Sequence, residues 1–192
     1  GAQEYFGPSC CPPSGIIYVN ASASGQNTGH DWANALTDLQ SALDRIANGG
    51  CPGIFGIWIA EGFYSPSKDR FGNDDPADPR TKTFFFDRNI NVTGGFPATG
   101  NPGLADASPS NPTILSGNSG GGWYNESSVF VTSQLGYSPV LSQVTFRNNR
   151  ASRNGAAFYN EPTQNTGSAS THFQSCTFSK NVASYNGCAV YS

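Results

Sequence analysis

The sequence predicts an all-β protein, a parallel β-helix (a solenoid) with one N-terminal capping α-helix. Three observations predict it. First, the C-terminal third is written twice. Val144-Thr-Phe-Arg-Asn-Asn-Arg-Ala-Ser-Arg-Asn-Gly-Ala-Ala-Phe-Tyr159 returns 32 residues later as Cys176-Thr-Phe-Ser-Lys-Asn-Val-Ala-Ser-Tyr-Asn-Gly-Cys-Ala-Val-Tyr191. A period in the 20–50 range marks units that bury their core face only by stacking on neighbours. Second, the unit holds brief β-prone runs bounded by Asn, Ser or Gly, and neither copy carries a helical stripe. Third, helical spacing is confined to one stretch, where Trp32, Leu36, Leu39, Leu43 and Ile46 share a face. Coils of short strands stacked about 4.8 Å apart satisfy all three. Phe146 and Phe178 are then expected to stack in the core, and Asn149 and Asn181 to form a hydrogen-bonded ladder at one turn. Two similar hairpins in a sandwich are the alternative, although sandwiches rarely repeat residue by residue.

Taken in order, residues 1–14 read as an arm. Gln3, Glu4, Tyr5 and Phe6 suit a short strand, and Gly7-Pro8 and Pro12-Pro13 isolate it from residues 15–192, which form one β-helix domain. Ile16 to Asn20 is the first strand. The helix is expected over residues 31–48, stopped by Gly49-Gly50, and covers the first open rung against stray strand pairing. Strands follow at Ile57–Ala60, closing with Glu61-Gly-Phe-Tyr64, then at Lys82–Phe86 and Ile90–Thr93, with a turn at Gly94-Gly95. The regular coils run over 112–192, through Pro112–Ser116, Ser128–Thr132 and Val140–Phe146.

With 192 residues and a formal charge of −3, one domain is expected and no electrostatic partner is implied. No basic cluster speaks for nucleic acid. The longest apolar run, Ile54 to Ala60, is far short of the roughly 20 residues that span a membrane. Only 12% of residues are charged, and Gly, Asn, Ser and Thr take their place. That composition suits an extracellular or cell-surface β-protein, exported with its leader removed. The cysteines Cys10, Cys11, Cys51, Cys176 and Cys188 match no zinc or redox spacing. In an oxidising compartment two bridges leave one thiol over, and adjacent Cys10 and Cys11 face different partners.

Ile17-Tyr-Val-Asn, the Gly-rich loop, Asp31-Trp-Ala-Asn-Ala-Leu-Thr-Asp-Leu-Gln-Ser-Ala-Leu, Ile57-Trp-Ile-Ala-Glu-Gly-Phe-Tyr, Gly94-Gly-Phe and Asn111-Pro-Thr-Ile-Leu-Ser-Gly117 occur in one order. Together they resemble the N-terminal region of bacterial right-handed parallel β-helix surface proteins of the pectate-lyase-like superfamily. The C-terminal copies resemble the Phe-x-x-Asn and Gly-Gly-Ala repeats of polymorphic outer-membrane proteins, with Gly155-Ala156 and Gly187-Cys188 where that pattern pairs glycines. The resemblance covers residue 16 onward. It implies a right-handed β-helix on a bacterial surface, and it implies little about activity.

Catalysis is not expected. Glycosidases on this kind of fold need paired carboxylates, and lyases of the superfamily an Asp-rich cluster with a base. Eleven of the thirteen Asp and Glu precede residue 107, which leaves only Glu126 and Glu161 for the coils. The polar loop from Ser65 to Arg80 offers one calcium candidate, Asn73, Asp74, Asp75 and Asp78. It matches no EF-hand, Pro76 and Pro79 restrict it, and a solvated loop with no metal and no cofactor is the expectation. Arg147, Arg150 and Arg153 are not repeated in the second copy and read as a solvated turn. His30 and His172 stand alone. Trp123, Tyr124, Phe130, Tyr137, Tyr159 and Tyr191 offer sugar-stacking surface but read as packing. Only Thr145/Thr177 repeats as an ice-binding face requires. Asn20, Asn91 and Asn125 lie in Asn-x-Ser/Thr sequons.

The sequence stops inside a strand, with no polar terminal repeat. The open rung is expected to be covered by further coils of a longer chain or by another copy, giving a homopolymer. Strand donation from Gln3–Phe6 to Cys188, Ala189, Val190 and Tyr191 would build filaments. The function expected is therefore that of a structural protein in adhesion, matrix or an extracellular filament. The alternative is a polysaccharide-active enzyme or glycan-binding module on the same fold, with surface glycans as partners.

Overall fold

The structure is a computed structural model and describes residues 11–47, 51–74, 76–86, 88–117, 130–133, 138–152, 154–161 and 170–191. In chain order the strands and helix are β1 (Ile16–Val19), α1 (Leu39–Ala47), β2 (Gly56–Ala60), β3 (Gly62–Tyr64), β4 (Phe84–Phe86), β5 (Asn91–Phe96), β6 (Thr113–Leu115) and β7 (Phe130–Ser133). They continue as β8 (Val140–Ser142), β9 (Val144–Arg147), β10 (Arg150–Ala151), β11 (Phe158–Glu161), β12 (His172–Gln174), β13 (Thr177–Ser179), β14 (Val182–Ala183) and β15 (Val190–Tyr191).

The strands form parallel sheets. One runs β1-β2-β5-β8-β12, a second β3-β6-β9-β13, a third β4-β7-β11-β15, and β10 pairs with β14. No sheet closes on itself among the described residues. The chain visits the first, second and third sheets in a fixed rotation, from β2, β3 and β4 to β12, β13 and β15. Each sheet thus gains one strand per circuit, and its inward side chains stack on those of the circuit before.

The core follows that register. Leu115 pairs with Phe146 and Phe146 with Phe178. Ile57 pairs with Val92 and Val92 with Leu141. These inward positions are almost fully buried up to Phe146, Leu141 and Phe158. The rings of Phe146 and Phe178 stack with centroids 5.0 Å apart, as the repeat requires. The asparagine ladder also forms. Asn149 Nδ2 donates to Asn181 Oδ1 at 2.9 Å, and Asn181 Nδ2 donates to the Phe146 carbonyl at 3.0 Å. Asn149 Oδ1 accepts from Gly117 N at 2.7 Å, so a fully buried amide is satisfied on both atoms.

Three expected boundaries move. The helix begins at Leu39 rather than at residue 31 or 32. Leu36 is instead bridged in parallel to Val19, accepting from Asn20 N at 2.7 Å and donating to the Tyr18 carbonyl at 2.9 Å. Asp38 then starts the helix, its Oδ1 accepting from Ser41 N at 2.7 Å as an N-cap does. All five apolar residues of the expected face are buried, so burial persists through a change of backbone state. Gly94-Gly95 is not a turn, because β5 runs on to Phe96 with a bulge where Trp58 pairs Thr93 and Ala60 pairs Phe96. Val140–Phe146 is two strands, broken at Gln143 with φ 56°.

α1 packs against β1 and β4, the first strands of two sheets, placing Leu39, Leu43 and Ile46 on Ile17, Val19, Phe84 and Phe86. A second apolar cluster lies outside the first sheet. There Trp58 stacks on Phe96 at 4.8 Å, Trp32 packs beside them, and its indole donates to the Pro102 carbonyl at 2.8 Å.

Candidate functional site: the last strand of each sheet

β12, β13, β14 and β15 are each the last strand of a sheet and pair on one side only among the described residues. Their inward residues occupy core positions. Phe173 follows Leu141, Phe178 follows Phe146 and Val190 follows Phe158 in register. Cys176 lies 32 residues after Val144. In the circuit before, all four positions are 0 to 1% exposed. In the last circuit Phe173, Cys176, Phe178 and Val190 are only partly buried, packed against the core from one side. Nearby Val182 and Tyr185 are 43% and 75% exposed. The result is an apolar end face rimmed by strand edges, a surface that favours covering by another strand.

Residues 143–161 match the Chlamydia polymorphic membrane protein (Chlamydia_PMP) repeat. The matched segment spans β9, β10 and β11, the circuit on which the end face is built. No curated protein and no solved structure matches the chain.

Of the expected assembly residues, Gln3, Glu4, Tyr5 and Phe6 lie outside the described residues. Val190 and Tyr191 form β15 beside Phe158 and Tyr159, and the two tyrosine rings stack at 5.7 Å. The Ala189 carbonyl accepts from Phe158 N at 3.0 Å. Cys188 is exposed with a free thiol. Phe173 and Phe178 belong to the end face and were not among the expected assembly residues. The signal was available for Phe178 in the repeat itself, whereas Phe173 lies three residues before the copies align.

The cysteines divide clearly. Cys11 and Cys51 form a disulfide, Cys10 lies outside the described residues, and Cys176 and Cys188 are free. Burial pushes the Cys176 thiol up from its ordinary pKa, and its Sγ lies 3.3 Å from the Leu141 carbonyl.

The acidic loop is tied to itself and to its neighbours. Asp69 Oδ1 accepts from Phe71 N and Asn73 N at 2.9 and 3.0 Å, and these bonds help hold its carboxyl below the ordinary range. Asp74 pairs with Lys68 at 3.2 Å. Asp78 pairs with Arg80, which lowers its pKa, and Asp75 lies outside the described residues. No group of three or more His, Cys, Asp or Glu stands at metal-binding geometry among the described residues. Arg147 lies 5.4 Å over the exposed ring of Phe63, Arg150 sits on β10, and Arg153 is outside the described residues. Trp123, Tyr124, Glu126, Asn125 and Tyr137 are outside them as well. His30 and His172 are far apart in the chain, and His172 sits on β12 in pairing with Val140. Asn20 is 4% exposed, with Nδ2 donating to the Ala98 carbonyl at 2.9 Å, whereas Asn91 is exposed. No helix among the described residues is long and apolar enough to cross a membrane.

Proposed function

We propose that the sheets wind as a right-handed parallel β-helix, and that the protein is a bacterial cell-surface or secreted structural protein. The fixed rotation of the chain through parallel sheets supports the winding, since parallel strand-to-strand crossovers are right-handed in about 98% of cases. The polymorphic membrane protein repeat at 143–161 supports the surface location. The function is assembly rather than catalysis, and the end face carries the reading. Phe173, Phe178 and Val190 repeat buried core positions, yet one side of each is uncovered.

The occupant is the arm Gln3–Phe6 of a second copy, added as one more strand on that end. The described chain starts at Cys11, held by Cys51 just before β2, whereas the end face belongs to the last circuit. Donor and acceptor thus sit at opposite ends of the stack, and α1 blocks direct stacking of coils at the first end. Such a contact is heterologous, and repetition of it makes a filament. With Cys11 used by Cys51, Cys10 is the arm thiol available to meet Cys188 of the neighbour. Disulfide exchange with an external disulfide such as oxidised glutathione would join them, releasing its two thiols.

Negative-stain electron microscopy of the full chain, with and without reductant, tests this. Regular filaments that are lost on deleting residues 1–9 are expected, with shortening on reduction. Dispersed monomers of the full chain, or filaments that persist without the arm, would overturn the assembly reading.

A further inference from the structure

At the other end of the stack a groove of about 410 Å³ opens between α1, the loop at 68–72 and β4. Its size lies in the roughly 300–1,000 Å³ range of small-ligand sites. It is independent of the end face, which belongs to the last strands. Leu43, Ile46 and Phe86 line it with buried apolar surface. One wall is a polar chain. Gln40 Nε2 donates to Asp44 Oδ1 at 3.0 Å, and Lys68 Nζ lies 2.8 Å from Asp44 Oδ2. The Asp44 contact holds the Lys68 ammonium ionised, with its pKa raised.

Two features distinguish this groove from a solvated cleft. Gln40 is 7% exposed, and its Oε1 is buried without a hydrogen-bond partner. The amide cannot be turned to remedy this, because Asp44 requires its donor end. A buried acceptor left without a donor costs about 1–3 kcal/mol, and a ligand hydroxyl would recover that. At the rim, Phe71 is 79% exposed, and the Arg70 guanidinium lies 5.3 Å from its ring and 5.6 Å from that of Phe85. Flat apolar rings held beside planar hydrogen-bonding groups match a pyranose. Its C–H face packs on an aromatic ring, while its hydroxyls both donate and accept.

We propose that this groove binds a saccharide unit of a surface or matrix glycan. Gln40 Oε1 accepts a sugar hydroxyl, Asp44 and Arg70 bond its neighbours, and Phe71 forms the stacking platform. The site does not depend on the assembly reading.

The test uses the full chain on a printed array of neutral and uronate-bearing oligosaccharides, followed by calorimetry with the best-retained glycan. Retention in one arm is expected, and the arm identifies whether the sugar carries a carboxylate. Phe71→Ala changes an exposed side chain, so its thermal melt should match the parent while its affinity falls at least tenfold. Gln40→Leu keeps the volume and removes the acceptor, and its affinity should fall as well. Deleting residues 1–9 should leave retention unchanged. No retention in either arm, or retention unaltered by Phe71→Ala, would overturn the proposal.

Discussion

Tyr64 is the side chain whose environment most strongly alters its chemistry. It is 3% exposed, its hydroxyl donates to the Ala60 carbonyl at 3.1 Å, and the oxygen accepts from Ala21 N at 3.2 Å. Burial disfavours the phenolate and raises its pKa from 10.0 to about 12. The unfolded chain therefore loses this proton first as pH rises. The stabilisation is fully present below pH 10 and is lost between about 10 and 12, amounting to roughly 2–3 kcal/mol. Chemical denaturation of the parent and Tyr64→Phe across that window should show their stability gap shrinking by about this amount. A gap that stays constant would place Tyr64 in contact with solvent. Asn149 makes a second residue-scale prediction. Its amide serves Gly117, Leu115 and Asn181 from a fully buried position. Asn149→Ala should cost about 2–4 kcal/mol, since it strands several buried partners. The two free thiols should also differ. Peptide mapping after brief alkylation should find Cys188 modified well before Cys176, because a half-buried thiol with a raised pKa supplies little thiolate.

At the scale of elements, the bulge in β5 is the most constrained backbone. A Cβ on Gly94 would come within 2.7 Å of the Thr113 Cβ and 2.8 Å of the Gln143 carbonyl. Thr113 is itself fixed, accepting from Gly95 N at 2.9 Å and donating to the Ala60 carbonyl at 3.0 Å. Gly94→Ala should destabilise by about 2–3 kcal/mol through overpacking. Gly100 has φ +80° but open space around it, so Gly100→Ala should cost only about 1 kcal/mol of backbone strain. Equal losses in thermal melts would deny the close approach at Gly94. The corners between sheets follow a related rule. Gln143 and Ser175, and likewise Asn148 and Lys180, have φ between 51° and 58°, and each pair is 32 residues apart. Gly155 and Gly187 make a third such pair at 62°. Only the asparagine and the glycines announce a left-handed corner in the sequence. At the other three positions the stacked sheets impose it. The same competition shortens α1, since pairing of Leu36 with Val19 removes its backbone from helix formation.

Across the whole molecule, the Cys11–Cys51 disulfide closes a separation of 40 residues around β1 and α1. Loop-closure entropy for a ring of that size amounts to about 4 kcal/mol. Reduction, or Cys11→Ser with Cys51→Ser, should therefore lower the melting temperature markedly, and an unchanged melt would mean that the sheets hold this end unaided. Much of the stack was legible beforehand. The 32-residue period determined that Phe146 meets Phe178, that Asn149 meets Asn181 and that Tyr159 meets Tyr191, because parallel in-register pairing places like positions above one another. Apolar spacing likewise determined which residues of 32–46 are buried. Only the tertiary structure decided where α1 begins, where the strands bend, which cysteine bonds Cys51, and that Phe173 joins the end face. It alone also assembled the groove from α1, the 68–72 loop and β4. Those features depend on contacts between residues distant in sequence, and such contacts override the local preferences from which a sequence is read.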